Sequence, residues 1–495
     1  MYLSLHKCLD ITFLWKKFPV LLISLYYSLG ILCYFHTGVA LVLFLIFSPL
    51  LIPCAPNHSY KHTLISIVTT LLGFSFTNLK IDLPPRSILP LYGSARVHIN
   101  GLEKQDFFFG PGYIYRGIIT SFSSPSKNYS FLPCSIYSKD KSYIIDCDYL
   151  ITGELCKSKS LQYTLKPQKG ITWEPIPNTF SLAELRFRCK KCVQKFLRKR
   201  LSNKHIFSLI SALSTGNSPN LIVKYHFSRL GLSHLLVISG FHFSILALLA
   251  KKILDFFFSE PITTIFLLLF TISYGIYVGP QASSMRAGLI IYIYLLGRLI
   301  GRKSPPLNTL GGALLIQLLG NPLLLFQIGF QLSYVATLGI LLFFPSYKKK
   351  LEKLLPRRDY AYLNPLLKVY QIMINFIRNQ LALLFSSHIL LLPVLLYHFS
   401  SFPILTFFYN LLIPVLISFC FITLPFLLIP GIMFIPQIVA SFLWIIVMYA
   451  PQSLNVEVYC PFMPWTGVLI FLSLSFMYKL FDYNIQRKNL FFDCL

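Results

Sequence analysis

Acidic residues are scarce. The 495-residue chain holds 17 Asp and Glu against 44 Lys and Arg, a formal charge of +27. Charged residues of both signs make up only 12% of it, where a soluble domain carries about a quarter. A large water-soluble core is thereby excluded. The eleven cysteines include a single CxxC, Cys189 and Cys192, with no second pair at zinc-site spacing. No Walker A sequence occurs, so P-loop hydrolysis of nucleotide is excluded for this stretch. A cleavable signal is also missing. Lys7, Lys16 and Lys17 precede an apolar run that continues to Pro53, split near His36-Thr37-Gly38, far longer than a signal core. Cys54 in LIPCAP makes no convincing lipoprotein box.

Apolar residues take the place of charge, at 55% of the chain with mean hydropathy +0.64. Long apolar runs define a polytopic helical membrane protein. Part of the positive excess is the usual bias of cytoplasmic loops. The rest suits a polyanion, either nucleic acid or anionic lipid.

Three spans are expected over 1–79, beginning from a basic, cytoplasmic N-terminus. Composition shifts over 80–178, where Ala95–Ile99, Tyr113–Ser121, Tyr143–Cys147, Tyr149–Leu155 and Leu161–Leu165 read as short strands between turn clusters. They predict a small extracytoplasmic β domain, the OB type being a natural candidate. Cys134, Cys147 and Cys156 fall here, either as free thiols or with one disulfide. A basic amphipathic helix is expected over 179–204, with Arg198, Lys199 and Arg200 among its cations. It suits a membrane surface or a phosphate backbone, and the two are compatible.

Lys251 and Lys252, then Arg298, Arg302 and Lys303, then Lys348, Lys349, Lys350, Lys353, Arg357 and Arg358 mark three basic loops. Two spans separate each loop from the next, so all three fall on the cytoplasmic side. About twelve spans result, with both termini cytoplasmic. Leu307–Leu319 is short enough to be re-entrant.

Within this frame Leu230–Leu249, LGLSHLLVISGFHFSILALL, stands out. It has the length of a spanning helix, closed by Lys251 and Lys252, yet it carries His234, Ser239, Gly240 and His242. On one continuous helix the histidines lie within about 80° of each other, beside Ser239. Polar groups at membrane depth face a bundle interior or a watery path. The stripe therefore fits either a conducting path or a packed hydrogen-bond cluster, with Gly240 allowing a bend or close backbone approach. Arg286 opens another span and can meet phosphate or snorkel to the interface. Gln331 and Ser333 interrupt a further apolar run, as pore lining or as interhelical hydrogen-bonding groups.

GLSHLLVISGFHFSILALL resembles the most diagnostic stretch of the ComEC family of competence proteins, bacterial inner-membrane DNA-uptake channels. The resemblance extends over about 205–430 and includes Ile210–Asn217, Arg286, GFQLSY at Gly329–Tyr334, PVLLYHF at Pro393–Phe399, Asn410 and Pro414. Departures are Asn217, Asn321 and Gln327 where an acid is common, Gln281-Ala282 for Ser-Pro, and SGFH for SGLH. No HxHxDH pattern of the family's metallo-β-lactamase-like domain occurs before Leu495.

The resemblance implies a channel core at 205–430 and C-terminal spans at 431–495. It implies conduction of single-stranded DNA into the cytoplasm, along a path lined by His234, Ser239, Gly240, His242, Arg286, Gln331 and Ser333, with Arg198, Lys199 and Arg200 contacting DNA. No cofactor, metal or catalytic residue is expected. Expected partners are single-stranded DNA, the lipid bilayer, a DNA receptor, a separate nuclease and a cytoplasmic motor. Two other readings carry different tests: a membrane-embedded hydrolase using Ser239 and His242, and a transporter of an anionic lipid or glycan.

Overall fold

The computed structural model describes residues 15–35, 59–81, 89–107, 110–123, most of 124–176, 182–216, 220–356 apart from four single positions, 365–451, 457–460 and most of 464–479, with backbone alone over 100–112 and 365–368. Two compact units result: Leu72–Val193, and Met1–Leu71 with Gln194–Leu495.

The smaller unit is built on β1 (Leu91–Phe107), β2 (Gly110–Ser123), β4 (Leu132–Ser138), β5 (Asp148–Lys157) and β6 (Tyr163–Pro167), with two-residue strands β3 (Asn128–Tyr129) and β7 (Glu174–Pro175) appended. The order β1-β2-β4-β6-β5 closes on itself because β1 also pairs with β5. Only β4 and β6 run parallel. This barrel-like sheet is compatible with an OB-like domain. Strand alternation explains the core. Ala95, Val97 and Ile99 turn inward to meet Tyr115, Ile119, Phe122, Tyr149 and Trp173, which leaves Arg96 and His98 on the outer face. The strand at 132–138 escapes sequence reading because Pro133 lies in it, and proline sits near the start of the strand, where a ladder donor is dispensable. The expected strand at 143–147 lies largely outside the described residues. Cys134, Cys147 and Cys156 are free thiols.

The larger unit is helical. Its elements are α1 (Pro19–Phe35), α2 (Ser59–Lys80), α3 (Leu182–Arg200), α4 (Lys204–Thr215), α5 (Leu221–Arg229), α6 (Ser233–Leu236), α7 (Gly240–Phe257), α8 (Glu260–Val278), α9 (Ala282–Leu299), α10 (Pro306–Gly320), α11 (Ile328–Leu354), α12 (Pro365–Phe399), α13 (Leu405–Thr423) and α14 (Phe434–Met448); α2 and α3 each run across a unit boundary. Among the described residues five helices are long and apolar enough to cross a membrane: α2, α8, α11, α12, and α13 with the turn that follows it. Shorter apolar helices are α1, α10 and α14. The chain is a helical membrane protein.

One expectation is corrected. Leu230–Leu249 is not a single helix. α5 stops at Arg229, Gly231 turns the chain at φ 70°, α6 lasts four residues, and α7 starts afresh at Gly240. Gly231 is needed there: its φ lies in the left-handed region, and a Cβ would fall 2.4 Å from Thr406 Oγ1. The Thr406 hydroxyl in turn donates to the Leu230 carbonyl at 3.0 Å. The breaks interrupt the constant rotation per residue expected between His234 and His242, yet the two side chains remain within electrostatic reach of each other. Nor do Lys251 and Lys252 close the helix, since α7 runs on to Phe257 with Lys251 paired to Asp255 one turn ahead.

α11 and α12 form a long antiparallel hairpin. Gly339 permits it, because a Cβ there would lie 2.5 Å from the Ser386 carbonyl oxygen. Lys348, Lys349, Lys350 and Lys353 are on α11 rather than in a loop. Arg378 of α12, 1% exposed, donates to the Leu355 carbonyl at 3.3 Å and to Asn375 Oδ1 at 2.6 Å. It thus caps the Leu355 carbonyl at the C-terminal end of α11, where helix geometry leaves carbonyls unpaired, and its Nη2 lies 3.6 Å from Glu352 Oε1 of the same helix.

Candidate functional site

The breaks around Gly240 bring the start of α7 against the start of α9. A Cβ on Gly240 would lie 2.7 Å from Arg286 Nη2 and 3.1 Å from the Ala287 Cβ. The guanidinium fills the volume that glycine leaves. Its Nη1 donates to the Ser333 backbone carbonyl of α11 at 2.5 Å. Its Nε is enclosed and makes no hydrogen bond, and no described carboxylate forms an ion pair with it. Three expected residues, Gly240, Arg286 and Ser333, thus meet at one place, though Ser333 contributes its backbone oxygen.

Residues not anticipated surround them. Tyr334 donates from its hydroxyl to Gln317 Oε1 at 2.6 Å, and Gln317 Nε2 donates to the Ala282 carbonyl at 3.4 Å. Gln281 Oε1 is buried without a partner. Gln317 carried a legible signal: an amide in the apolar C-terminal half of a 15-residue helix is costly unless it finds a partner. Nothing in the local sequence indicates that the partner is Tyr334.

A second node joins the start of α11 to the end of α12. His398 Nε2 donates to Gln331 Oε1 at 2.8 Å, and Gln331 Nε2 donates to the Leu325 carbonyl at 2.9 Å. The histidines of the central stretch stay within electrostatic reach of each other but differ in exposure. His242 is fully buried, with its ring 4.7 Å from that of Phe421 on α13. His234 is exposed on α6. Ser239 lies outside the described residues.

On α3 the last-turn cations divide. Arg198 and Lys199 are exposed. Arg200 donates from Nη1 to the Leu427 carbonyl at 2.7 Å, lies over the Phe196 ring and receives Gln437 Nε2 at its own carbonyl. Cys189 and Cys192 are exposed free thiols. Among the described residues no group of three His, Cys, Asp or Glu could hold a metal ion.

In the β unit, His98 Nδ1 donates to Asp148 Oδ1 at 2.6 Å and Arg96 Nη2 reaches Oδ2 at 3.2 Å. The His98 hydrogen bond first, then the His98 charge and the hydrogen bond and charge of Arg96, hold the Asp148 carboxyl below its ordinary range, against the opposing effect of burial.

A helical membrane unit with a half-buried arginine at a broken helix, joined in one chain to a small barrel-like β unit, defines the class. The family model described as Competence protein matches residues 222–481, just over half of the chain. The chain belongs to that family. It is 29% identical over 246 residues to ComE operon protein 3 of Bacillus subtilis (strain 168), a match covering 46% of this chain and 28% of that protein. The chain therefore spans little more than a quarter of the curated relative it matches. No solved structure matches the chain.

Proposed function

We propose that the chain is a channel for DNA uptake in natural transformation, conducting single-stranded DNA across the inner membrane into the cytoplasm. Membership of the competence family supports the process. The observation that carries the conducting role is Arg286. A guanidinium enclosed in a membrane protein without a described carboxylate is costly, and the cost is relieved when a phosphate passes. Gly240 leaves the room it occupies, and the carbonyl of Ser333 holds one edge of the fork. Gln331, His398 and His234 supply further polar groups along the path, with His242 supporting it from behind, and weak, repeated contacts of this kind favour passage over retention. Arg198 and Lys199 offer exposed charge to an approaching strand. About twelve spans, cytoplasmic termini and an outer β domain complete the arrangement. A separate receptor, nuclease and motor act with it.

The test is uptake of labelled single-stranded DNA by cells and by proteoliposomes carrying Arg286→Gln, Arg286→Lys or the parent chain at matched insertion. Arg286→Gln is expected to cut uptake at least tenfold, with partial recovery in Arg286→Lys. Unchanged uptake in Arg286→Gln would sink the conducting role.

A further inference from the structure

We propose that the end of the α11–α12 hairpin is a docking surface for an acidic amphipathic helix of a peripheral protein. This goes beyond the conducting role and rests only on where the membrane ends along the hairpin.

α12 is 35 residues long, about 52 Å at 1.5 Å per residue. A bilayer with its head groups is about 40–45 Å thick, of which about 30 Å is hydrocarbon. Some of α12 must overrun, and the register shows which end. Gly339 packs on Ser386 and Ser387, so counting along the antiparallel pair sets Lys348–Lys350 level with about Asn375–Arg378. Three successive lysines, a buried arginine and two asparagines, Asn375 and Asn379, mark the level at which hydrocarbon gives way to water. The other end of α12 finishes at His398 and Phe399, beside the strand Ser401–Pro403.

From that level outward α12 keeps an apolar stripe on one side, with Tyr370 and Gln371 between its members and Lys368 past it. Val369, Ile372, Met373 and Phe376 are 56%, 60%, 57% and 46% exposed. Their spacing is i, i+3, i+4, i+7, a single apolar stripe of the kind that seats another helix. Val369 lies about 13 Å past Arg378 along the axis. The head-group zone is only about 5–7 Å deep on each side, so lipid alone does not cover the stripe. Three of the four members, Val369, Ile372 and Met373, offer no flat aromatic face, which suits helix packing better than base stacking. Lys348, Lys349, Lys350 and Lys353 stand on the neighbouring helix. A matching partner therefore carries acidic residues flanking its own apolar stripe.

Two experiments on the full-length protein test this. In the first, photoreactive benzoylphenylalanine replaces Ile372 in cells, and the adduct is sequenced. The expected adduct is a protein segment with acids flanking apolar residues at the same spacing, lost when Lys348, Lys349 and Lys350 are changed to Glu. Adducts confined to lipid, nucleic acid or a second copy of this chain would overturn the proposal, as would none. In the second, a labelled synthetic helix with Leu at i, i+3, i+4, i+7 and flanking Glu is titrated onto the protein in nanodiscs of neutral lipid. Binding is expected to weaken at least tenfold in Ile372→Ser/Met373→Ser, exposed positions where folding is not at stake. Equal binding by that variant, or by a peptide with Lys in place of Glu, refutes it.

Discussion

Gly240→Ala isolates the contact at the centre of the site. The added Cβ would lie 2.7 Å from Arg286 Nη2, so the guanidinium must retreat by about 0.7 Å to reach ordinary contact. That movement stretches its 2.5 Å bond to the Ser333 carbonyl, and a hydrogen bond to a charged group is worth about 1.5–3 kcal/mol. The Ala287 Cβ, 3.1 Å away, must also yield. Against this, alanine gains up to about 1 kcal/mol of helix propensity over glycine, and less here because Gly240 is the first residue of α7. The loss wins, and a net destabilisation of about 1–2 kcal/mol is expected. The double variant sharpens the test. With Arg286→Ala the obstructing atom is gone, so adding Gly240→Ala is expected to be neutral or mildly stabilising. Chemical unfolding of the four proteins in one detergent gives the coupling, expected at about 1–3 kcal/mol. A Gly240→Ala cost that is the same in both backgrounds would refute the proposed contact.

Three further outcomes are expected. Asp148 has a lowered folded pKa, so its contribution is complete above about pH 4, near the unfolded value, and is lost as pH falls through the lower folded value. Hydrogen exchange of β1 and β5 should therefore accelerate on acidification, and less steeply in Asp148→Asn. Arg200→Ala is expected to cost about 1–3 kcal/mol through the bond to the Leu427 carbonyl, while Arg198→Gln/Lys199→Gln leaves unfolding unchanged and weakens single-strand binding. An impermeant maleimide is expected to modify Cys189 and Cys192 but not Cys134, whose thiol burial pushes up to about 12; mass spectrometry of labelled peptides reads this directly.

Much of the architecture is local and was legible. Alternation at Ala95–Ile99 sends Ala95, Val97 and Ile99 inward, and the observed β1 does the same. The apolar rows with cations between them at 182–200 form the expected helix α3. These features depend on period and composition, which neighbours along the chain already contain. The central stretch shows where that logic ends. Nothing in the apolar pattern of Leu230–Leu249 separates one helix from two pieces, because hydrophobicity in lipid does not encode phase.

The sequence by itself determined the class of protein: few charges, long apolar runs, a β-patterned insert and a basic helix each restrict what a chain can do in water or lipid. The tertiary structure decided the rest. It placed Gly240 under Arg286, chose the backbone oxygen of Ser333 over its hydroxyl, gave Gln317 to Tyr334 and Gln331 to His398, and tied Arg200 to Leu427. The physical reason is common to all five. A polar group withdrawn from water must find a partner, but which partner depends on helices far apart in the chain arriving at the same depth and angle. That is a property of the packing, and no local pattern carries it.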